Sequence, residues 1–186
     1  MQSSPTLLVF GVSGVGKTSA CEDYVRRHTG WLYLRASALL ARETGAAPET
    51  LRREDAGRIQ ANQELLGNAL QRARAGRSEC AILLDAHAII DNDRELVPVP
   101  VEAVRALKPS ALILLELNAS ELGGRRRAGT RKRPDRTTVE LTVEMARERE
   151  VVEHYAAVLD VPLSTAVTQP GFILDPLIDR LLPSPF

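Results

Sequence analysis

Aromatic residues and cysteines are scarce in this sequence, and each shortage excludes a class of protein. Aromatic residues make up 4 % of the 186 residues, so the stacked aromatic platforms that bind single-stranded nucleic acid are not expected. The two cysteines, Cys21 and Cys80, form no CxxC or metal-ligand spacing. We interpret them as small buried thiols in a reducing compartment.

An excess of charge of one sign is also missing. Basic and acidic residues number 24 each. The resulting zero net charge argues against a nucleic-acid coat or a membrane-surface protein, since both usually carry a basic excess. Nucleic acid is therefore not an expected partner.

Long hydrophobic runs are absent as well. No apolar run approaches the roughly 20 residues that a membrane-spanning helix needs. Residues 1–5 are too few and uncharged for a signal peptide. The sequence therefore predicts a cytoplasmic protein without a membrane partner. With 44 % hydrophobic residues, residues 1–186 can bury the core of a single domain.

Apolar runs alternate with amphipathic stretches along the chain. Five runs are typical of strands that are buried on both faces of a parallel sheet, namely residues 6–10, 31–34, 80–84, 111–117 and 162–167. Residues 48–75 predict one long amphipathic helix or two abutting ones. The alternating prolines of residues 97–100 predict a loop. The pattern indicates an α/β fold with a five-stranded parallel sheet and helices on both faces.

A glycine-rich segment between the first strand and the first helix matches the pattern GxxxxGK[ST]. Its glycines let backbone N–H groups surround a phosphate, and the following helix adds partial positive charge. Lys17, one of three lysines among the 24 basic residues, would reach the β- and γ-phosphates of ATP, and Thr18 would bind Mg²⁺. The predicted nucleotide-binding residues are Gly11, Ser13, Gly14, Val15, Gly16, Lys17, Thr18 and Ser19.

Two polar residues follow the third strand. Asp85 ends that strand, which is the usual position of the carboxylate that supports Mg²⁺ in P-loop proteins. Thr18 and Asp85 are therefore the predicted metal ligands. His87 would lie at the carboxyl edge of the sheet, where ligands bind. Its position fits a substrate contact and a hydrogen-bonded scaffold role equally well.

Residues 125–136 hold seven basic residues and one acid. We interpret residues 125–137 as a small arginine-rich lid that closes over ATP and places guanidinium groups on the transferring phosphoryl group. A solvated basic face or an RNA-binding patch is the alternative.

Other motifs separate the classes of P-loop protein. The chain lacks the Asn/Thr-Lys-x-Asp motif of GTPases, and strand three ends in Asp-Ala rather than the Asp-Glu of larger ring-forming ATPases. Arg35, Ala36 and Ser37 follow the second strand, where gluconate and shikimate kinases place an acid that holds a hydroxyl substrate. Among the classes of P-loop protein, these motifs leave a small kinase of a nucleotide or of another metabolite.

The chain resembles the archaeal-type adenylate kinases over residues 7–167. Residues 84–90 (LDAHAII) are similar to the Asp-Thr-His-Ala run of that family, and residues 130–133 (TRKR) to its Thr-Arg-Asn-Arg lid motif. Further similar segments are 51–53, 58–60, 95–100 and 107–116.

This resemblance implies reversible transfer of a phosphoryl group from Mg²⁺·ATP to AMP, with residues 36–76 as the helical insert on the acceptor side. Arg131 and Arg133 would be lid arginines that join Lys17 and Asp85 in catalysis. The substrate-binding residues predicted on this basis, together with the histidine after strand three, are Ser37, Arg52, Arg53, Arg58 and His87. Members of the family are often oligomeric, so the resemblance is consistent with a homo-oligomer. A kinase of another small acceptor and a nucleotide-dependent ATPase that binds RNA stay open as alternatives.

Overall fold

Strands and helices alternate through the chain, as the sequence predicts. The structure is a computed structural model and describes residues 4–129 and 133–182. Within these residues the strands are β1 (Thr6–Phe10), β2 (Trp31–Arg35), β3 (Ala81–Asp85), β4 (Ile89–Asp91), β5 (Leu96–Pro98), β6 (Ala111–Glu116) and β7 (Leu163–Val167). The helices are α1 (Lys17–Arg27), α2 (Ala36–Thr44), α3 (Pro48–Arg52), α4 (Ala56–Gln63), α5 (Leu66–Arg74), α6 (Val101–Ala106), α7 (Ala119–Ala128), α8 (Thr138–Leu159) and α9 (Asp175–Leu181).

Five strands form one sheet in the order β2-β3-β1-β6-β7, and all neighbouring pairs are parallel. The five predicted strands are confirmed, with ends that differ by at most one residue. β1 lies in the middle of the sheet and is buried over its whole length. The turns that follow β1 and β3 therefore meet near the centre of the carboxyl edge, which is where α/β sheets bind ligands.

Side chains of β1 alternate between two hydrophobic cores, one on each face of the sheet. Leu8 and Phe10 face one core, where the ring of Tyr155 on α8 lies 5.7 Å from that of Phe10. Leu7 and Val9 face the other core, which α1 and α9 cover. This two-sided burial explains why the strands are continuously apolar rather than alternating.

Two expectations from the sequence were wrong in detail. Residues 48–74 form three helices rather than one or two. The Asp55 side chain accepts a hydrogen bond from the Arg58 backbone N–H and so starts α4 anew, and a second break follows between α4 and α5. Residues 96–98 are not loop but strand β5, which pairs with β4 in an antiparallel ribbon. A two-stranded ribbon has open edges, so Pro98 can take part without removing a needed hydrogen bond.

The sequence has no apolar run long enough to span a membrane, and the helices of the structure can be compared with this expectation. Of the helices in residues 4–129 and 133–182, none is long and apolar enough to cross a bilayer.

Candidate active site

The glycine-rich turn that is predicted to bind phosphate connects the central strand β1 to helix α1. Gly11 has a φ of 142°, and a Cβ atom at this position would collide with the Leu115 carbonyl oxygen on the neighbouring strand. Gly16, with a φ of 107°, immediately precedes the first residue of α1. Both positions need glycine, so the sequence motif is explained by local geometry.

Lys17 lies across this turn and not in solvent. Its side chain is 5 % exposed and donates a hydrogen bond to the Gly11 carbonyl. Its Nζ atom lies 3.7 Å from Asp85 Oδ1 and 3.5 Å from His87 Nδ1. The ammonium group of Lys17, the carboxylate of Asp85 and the ring of His87 therefore lie next to one another.

Thr18 and Asp85 form a pair of oxygen donors suited to Mg²⁺. The Thr18 hydroxyl donates to Asp85 Oδ2 at 3.1 Å, and the Tyr33 hydroxyl donates to the same oxygen at 3.1 Å. Burial and the charge of Asp85 raise the pKa of Tyr33, so this phenol stays a donor. In the described parts of the chain, no group of three or more His, Cys, Asp or Glu side chains could hold a metal ion. A divalent ion at Thr18 and Asp85 would thus depend on phosphate and water oxygens, as Mg²⁺ in nucleotide sites does.

A buried carboxylate that the sequence did not single out supports both loops of this site. Glu148 on α8 is 1 % exposed. Its carboxylate accepts hydrogen bonds from the backbone N–H groups of Gly11 at 3.0 Å, Ala88 at 3.1 Å and Ile89 at 2.8 Å. Burial raises the pKa of Glu148, while the nearby charge of Lys17 and the three N–H donors oppose that rise. Glu148 thereby fixes the P-loop relative to the segment that carries His87.

The start of the predicted lid packs on the P-loop. Arg126, near the end of α7, donates to the Ser13 carbonyl at 2.8 Å and pairs with Glu144 of α8 at 2.7 Å. Both side chains of that ion pair are 8 % exposed. Arg125 donates to the Val15 carbonyl at 3.3 Å. Arg131 falls among residues 130–132, outside the described part of the chain, so its predicted role stays a prediction.

A cavity of about 610 Å³ opens beside the P-loop. Ser13 and His87 line it at the phosphate-binding end, and helices α2 to α5 enclose much of the rest. Its apolar wall includes Leu40, Leu51, Leu66, Val99, Val104 and Leu107. Arginines of the described chain that line it are Arg35, Arg52, Arg53, Arg126 and Arg133. This mixture of apolar surface and guanidinium groups suits a small anionic ligand with a large hydrophobic part.

Two of the predicted acceptor arginines are engaged with carboxylates in the structure. Arg52 lies 2.6 Å from Asp93 and 2.7 Å from Glu49. Arg53 lies 3.0 Å from Asp93. The hydrogen bonds from Arg52 hold the pKa of Asp93 and of Glu49 below their ordinary values.

The remaining predicted acceptor residues are placed differently. Ser37 lines the cavity at the start of α2. Arg58 is not among the residues that line the cavity. Its side chain is 70 % exposed and lies 4.0 Å from Glu54. Arg35 lines the cavity but was not predicted as a site residue. The available sequence signal was the position of Arg35 directly after the apolar run of residues 31–34, at the edge of a parallel sheet where ligands bind.

The comparisons with known proteins agree with this geometry. A family model described as an AAA domain matches residues 10–142, a range that contains the P-loop and Asp85. The chain belongs to this family. Its sequence is 27 % identical to an adenylate kinase of Pyrococcus horikoshii over 124 residues, which are 64 % of this chain. The chain covers 63 % of the length of that relative.

Solved structures resemble the chain over most of its length. A shikimate kinase of Acinetobacter baumannii in complex with shikimate has a TM-score of 0.57 at 15 % identity, covering 97 % of this chain and 94 % of the other. A shikimate kinase of Bacteroides thetaiotaomicron has a TM-score of 0.51 at 17 % identity, covering 87 % of this chain and 86 % of the other. At such identities the likeness shows the fold alone. The chain has the α/β fold of P-loop kinases.

Proposed function

We propose that this protein is a nucleotide-dependent kinase of the archaeal adenylate kinase type, which transfers the γ-phosphoryl group of ATP to AMP and forms two molecules of ADP. The observation that carries this proposal is the position of the cavity. It begins at Ser13 of the P-loop and at His87, next to Lys17, and continues along an apolar wall that also presents arginines. A nucleoside monophosphate has the matching shape, with a phosphate at one end and a base at the other.

On the ATP side, the P-loop backbone and Lys17 would bind the phosphates. Thr18 and Asp85 would hold Mg²⁺, which neutralises charge on the β- and γ-phosphate oxygens when it is bound. Their fit to a hard cation is supported by the 3.1 Å contact between the two side chains.

On the acceptor side, Arg35, Arg52 and Arg53 would orient the AMP phosphate, because a guanidinium fork binds two phosphate oxygens at once. An oxygen of AMP then attacks the γ-phosphorus, and the bond to the bridging oxygen of ATP breaks. Residues 36–76 would form the acceptor-side insert, and residues 125–137, of which Arg133 and Pro134 line the cavity, would form the lid. Holding the reactants in line and excluding water supplies the catalysis, without a covalent intermediate. We place this reaction in the cytoplasm.

A kinase of another small acceptor is the second candidate. The arginines of the cavity support it, because guanidinium groups bind a carboxylate as well as a phosphate. Its acceptor would be a hydroxy acid, which has a carboxylate for the arginines to bind and a hydroxyl group that receives the phosphoryl group.

An acceptor panel tests the proposal. ATP is incubated with AMP, GMP, CMP, UMP, a nucleoside or a hydroxy acid, and the products are separated by ion-exchange chromatography. The proposal expects two ADP for each AMP consumed. A phosphorylated hydroxy acid would instead establish the second candidate, and ATP hydrolysis without any acceptor, stimulated by RNA in a salt-dependent way, would indicate an RNA-associated ATPase. A Lys17→Ala variant with intact turnover would contradict every P-loop mechanism.

A further inference from the structure

Glu49, in the first turn of α3, holds one side of the Arg52 guanidinium group. The Arg52 Nε atom donates to Glu49 Oε2 at 3.2 Å, and Arg52 Nη2 donates to Glu49 Oε1 at 2.7 Å. These two N–H groups form the fork with which an arginine binds two oxygens of a carboxylate or a phosphate. Glu49 and Arg52 both line the cavity. An acid of the chain itself therefore occupies the fork that the proposed acceptor phosphate would need.

Asp93 holds the same guanidinium group from another direction. Arg52 Nη1 donates to Asp93 Oδ1 at 2.6 Å and to the Asp91 backbone carbonyl. Asp93 is not among the residues that line the cavity. Its contact joins α3 to the turn between β4 and β5, 41 positions along the chain, and so positions the arginine. The pair of Glu49 with Arg52 makes no such connection, because the two residues lie three positions apart in one helix.

The contact between Glu49 and Arg52 can be exchanged at little cost. The Glu49 side chain is 49 % exposed, and exposed ion pairs are weak because water and salt screen the charges. A phosphate monoester carries more negative charge at pH 7 than a carboxylate does, so it attracts the guanidinium group more strongly. The Arg52 side chain is 11 % exposed and keeps its contacts with Asp93 and Asp91 when Glu49 turns into solvent.

Arg35 provides a contrast within the same cavity. Its side chain lines the cavity and makes no hydrogen bond or ion pair within residues 4–129 and 133–182. An acceptor anion can contact Arg35 without displacing another group, whereas at Arg52 the same anion must compete with Glu49. The two arginines of the proposed acceptor site therefore differ in the binding energy that they can supply.

We propose that Glu49 competes with the phosphate of the acceptor for the fork of Arg52 and so lowers the affinity of the protein for that acceptor. Arg53 takes part in the exchange, because its Nε atom lies 3.2 Å from Glu49 Oε1, the oxygen that also contacts Arg52 Nη2. This inference rests on the proposed function, because it concerns the acceptor half of the same cavity. It adds a residue that weakens acceptor binding, whereas the arginines strengthen it.

Three variants test this role, and each removes one negative charge. Glu49→Gln keeps the length of the side chain but weakens its hold on the fork. Asp93→Asn removes a charge from the same guanidinium group on the side away from the cavity lining, and asparagine tolerates the φ of 76° at this position. Glu102→Gln is the matched control, because Glu102 pairs with Arg105 at the same spacing in the first turn of α6, and neither residue lines the cavity.

The dissociation constant for AMP is measured by isothermal titration calorimetry, with Mg²⁺ and the non-hydrolysable analogue adenylyl imidodiphosphate bound in the donor site. We expect Glu49→Gln to lower this constant by about 2- to 5-fold, which corresponds to the strength of an exposed ion pair. The KM for AMP should fall by a similar factor, and the KM for ATP should not change. Asp93→Asn should not lower the dissociation constant, and Glu102→Gln should match the wild-type protein.

A folded Glu49→Gln protein whose dissociation constant for AMP equals or exceeds that of the wild type would overturn the inference. An equal decrease in Asp93→Asn would also overturn it, because such a result indicates a general effect of charge rather than competition at the fork. Failure of the proposed function gives a different result, since the wild-type protein would then neither bind a nucleoside monophosphate nor form a diphosphate from one. That result would overturn the proposed function and the role of Glu49 together.

Discussion

At the scale of single residues, Glu148 joins the P-loop to the segment that follows β3. One carboxylate oxygen accepts the N–H groups of Gly11 and Ala88, and the other accepts that of Ile89. In Glu148→Gln the amide oxygen can replace only one of these acceptors, and the amide nitrogen faces a donor.

We therefore expect Glu148→Gln to lower the free energy of unfolding by about 1–3 kcal/mol, the cost of one buried donor left without a partner. It should also raise the KM for ATP, because the P-loop loses a support. Urea denaturation and initial rates measure the two effects, with Glu153→Gln on an exposed position of α8 as the control. Equal stability and an equal KM for ATP in both variants would contradict this role.

Residues of the site differ in how far the sequence could predict them. Lys17, Thr18 and Asp85 belong to short motifs next to apolar strands, so their meeting follows from the topology of a parallel sheet. Glu148 lies 137 positions from Gly11 along the chain, and its burial on α8 follows from packing alone.

At the scale of elements, the breaks between helices α3, α4 and α5 do not follow the hydrophobic periodicity, and the start of α4 has a side-chain cap. Leu51, Ile59, Leu66 and Leu70 are buried on both sides of the breaks, so the hydrophobic pattern cannot reveal where one helix ends. Asp55 marks the break, because its carboxylate accepts from Arg58 N at 2.9 Å. The turn between β4 and β5 is fixed in a similar way. The Asn92 side chain accepts hydrogen bonds from the backbone N–H groups of Arg94 at 3.0 Å and Glu95 at 2.8 Å. The Asp-Asn-Asp run of residues 91–93 is typical of turns, because Asp and Asn side chains accept hydrogen bonds from nearby backbone N–H groups.

We expect Asp55→Ala to lower the free energy of unfolding by about 0.5–2 kcal/mol, as the loss of a helix N-cap usually does. Asp55→Asn should retain most of the stability, because the amide oxygen can still accept the hydrogen bond. Chemical denaturation of both variants provides the measurement. If the alanine and asparagine proteins unfold at the same denaturant concentration, the cap does not stabilise α4.

At the scale of the whole molecule, one ion-pair cluster joins the first and last helices. Asp175 at the start of α9 lies 2.6 Å from Arg27 and 2.9 Å from His28, at the end of α1. The hydrogen bonds from Arg27, together with that from His28, hold the pKa of Asp175 well below its ordinary value. A carboxyl whose pKa is lowered by folding stabilises the protein above its unfolded pKa, and this contribution is lost as the pH falls through the folded pKa.

Asp175→Asn should therefore have a lower Tm than the wild type at pH 7, and the difference should shrink in acid, beginning below about pH 4, near the unfolded pKa of aspartate. The exposed Asp179→Asn on the same helix serves as the control. Thermal unfolding followed by circular dichroism between neutral and strongly acidic pH measures both. A difference that is constant over this range would show that Asp175 acts through something other than its charge.

The central claim is that the cavity accepts a second nucleotide, and the reverse reaction tests it most directly. ADP and Mg²⁺ are incubated with the protein and no other substrate, and phosphorus NMR follows the products. We predict that ATP and AMP appear in equal amounts, and that Lys17→Ala abolishes their formation. ADP that stays unchanged, or that yields AMP and free phosphate without ATP, would contradict the claim.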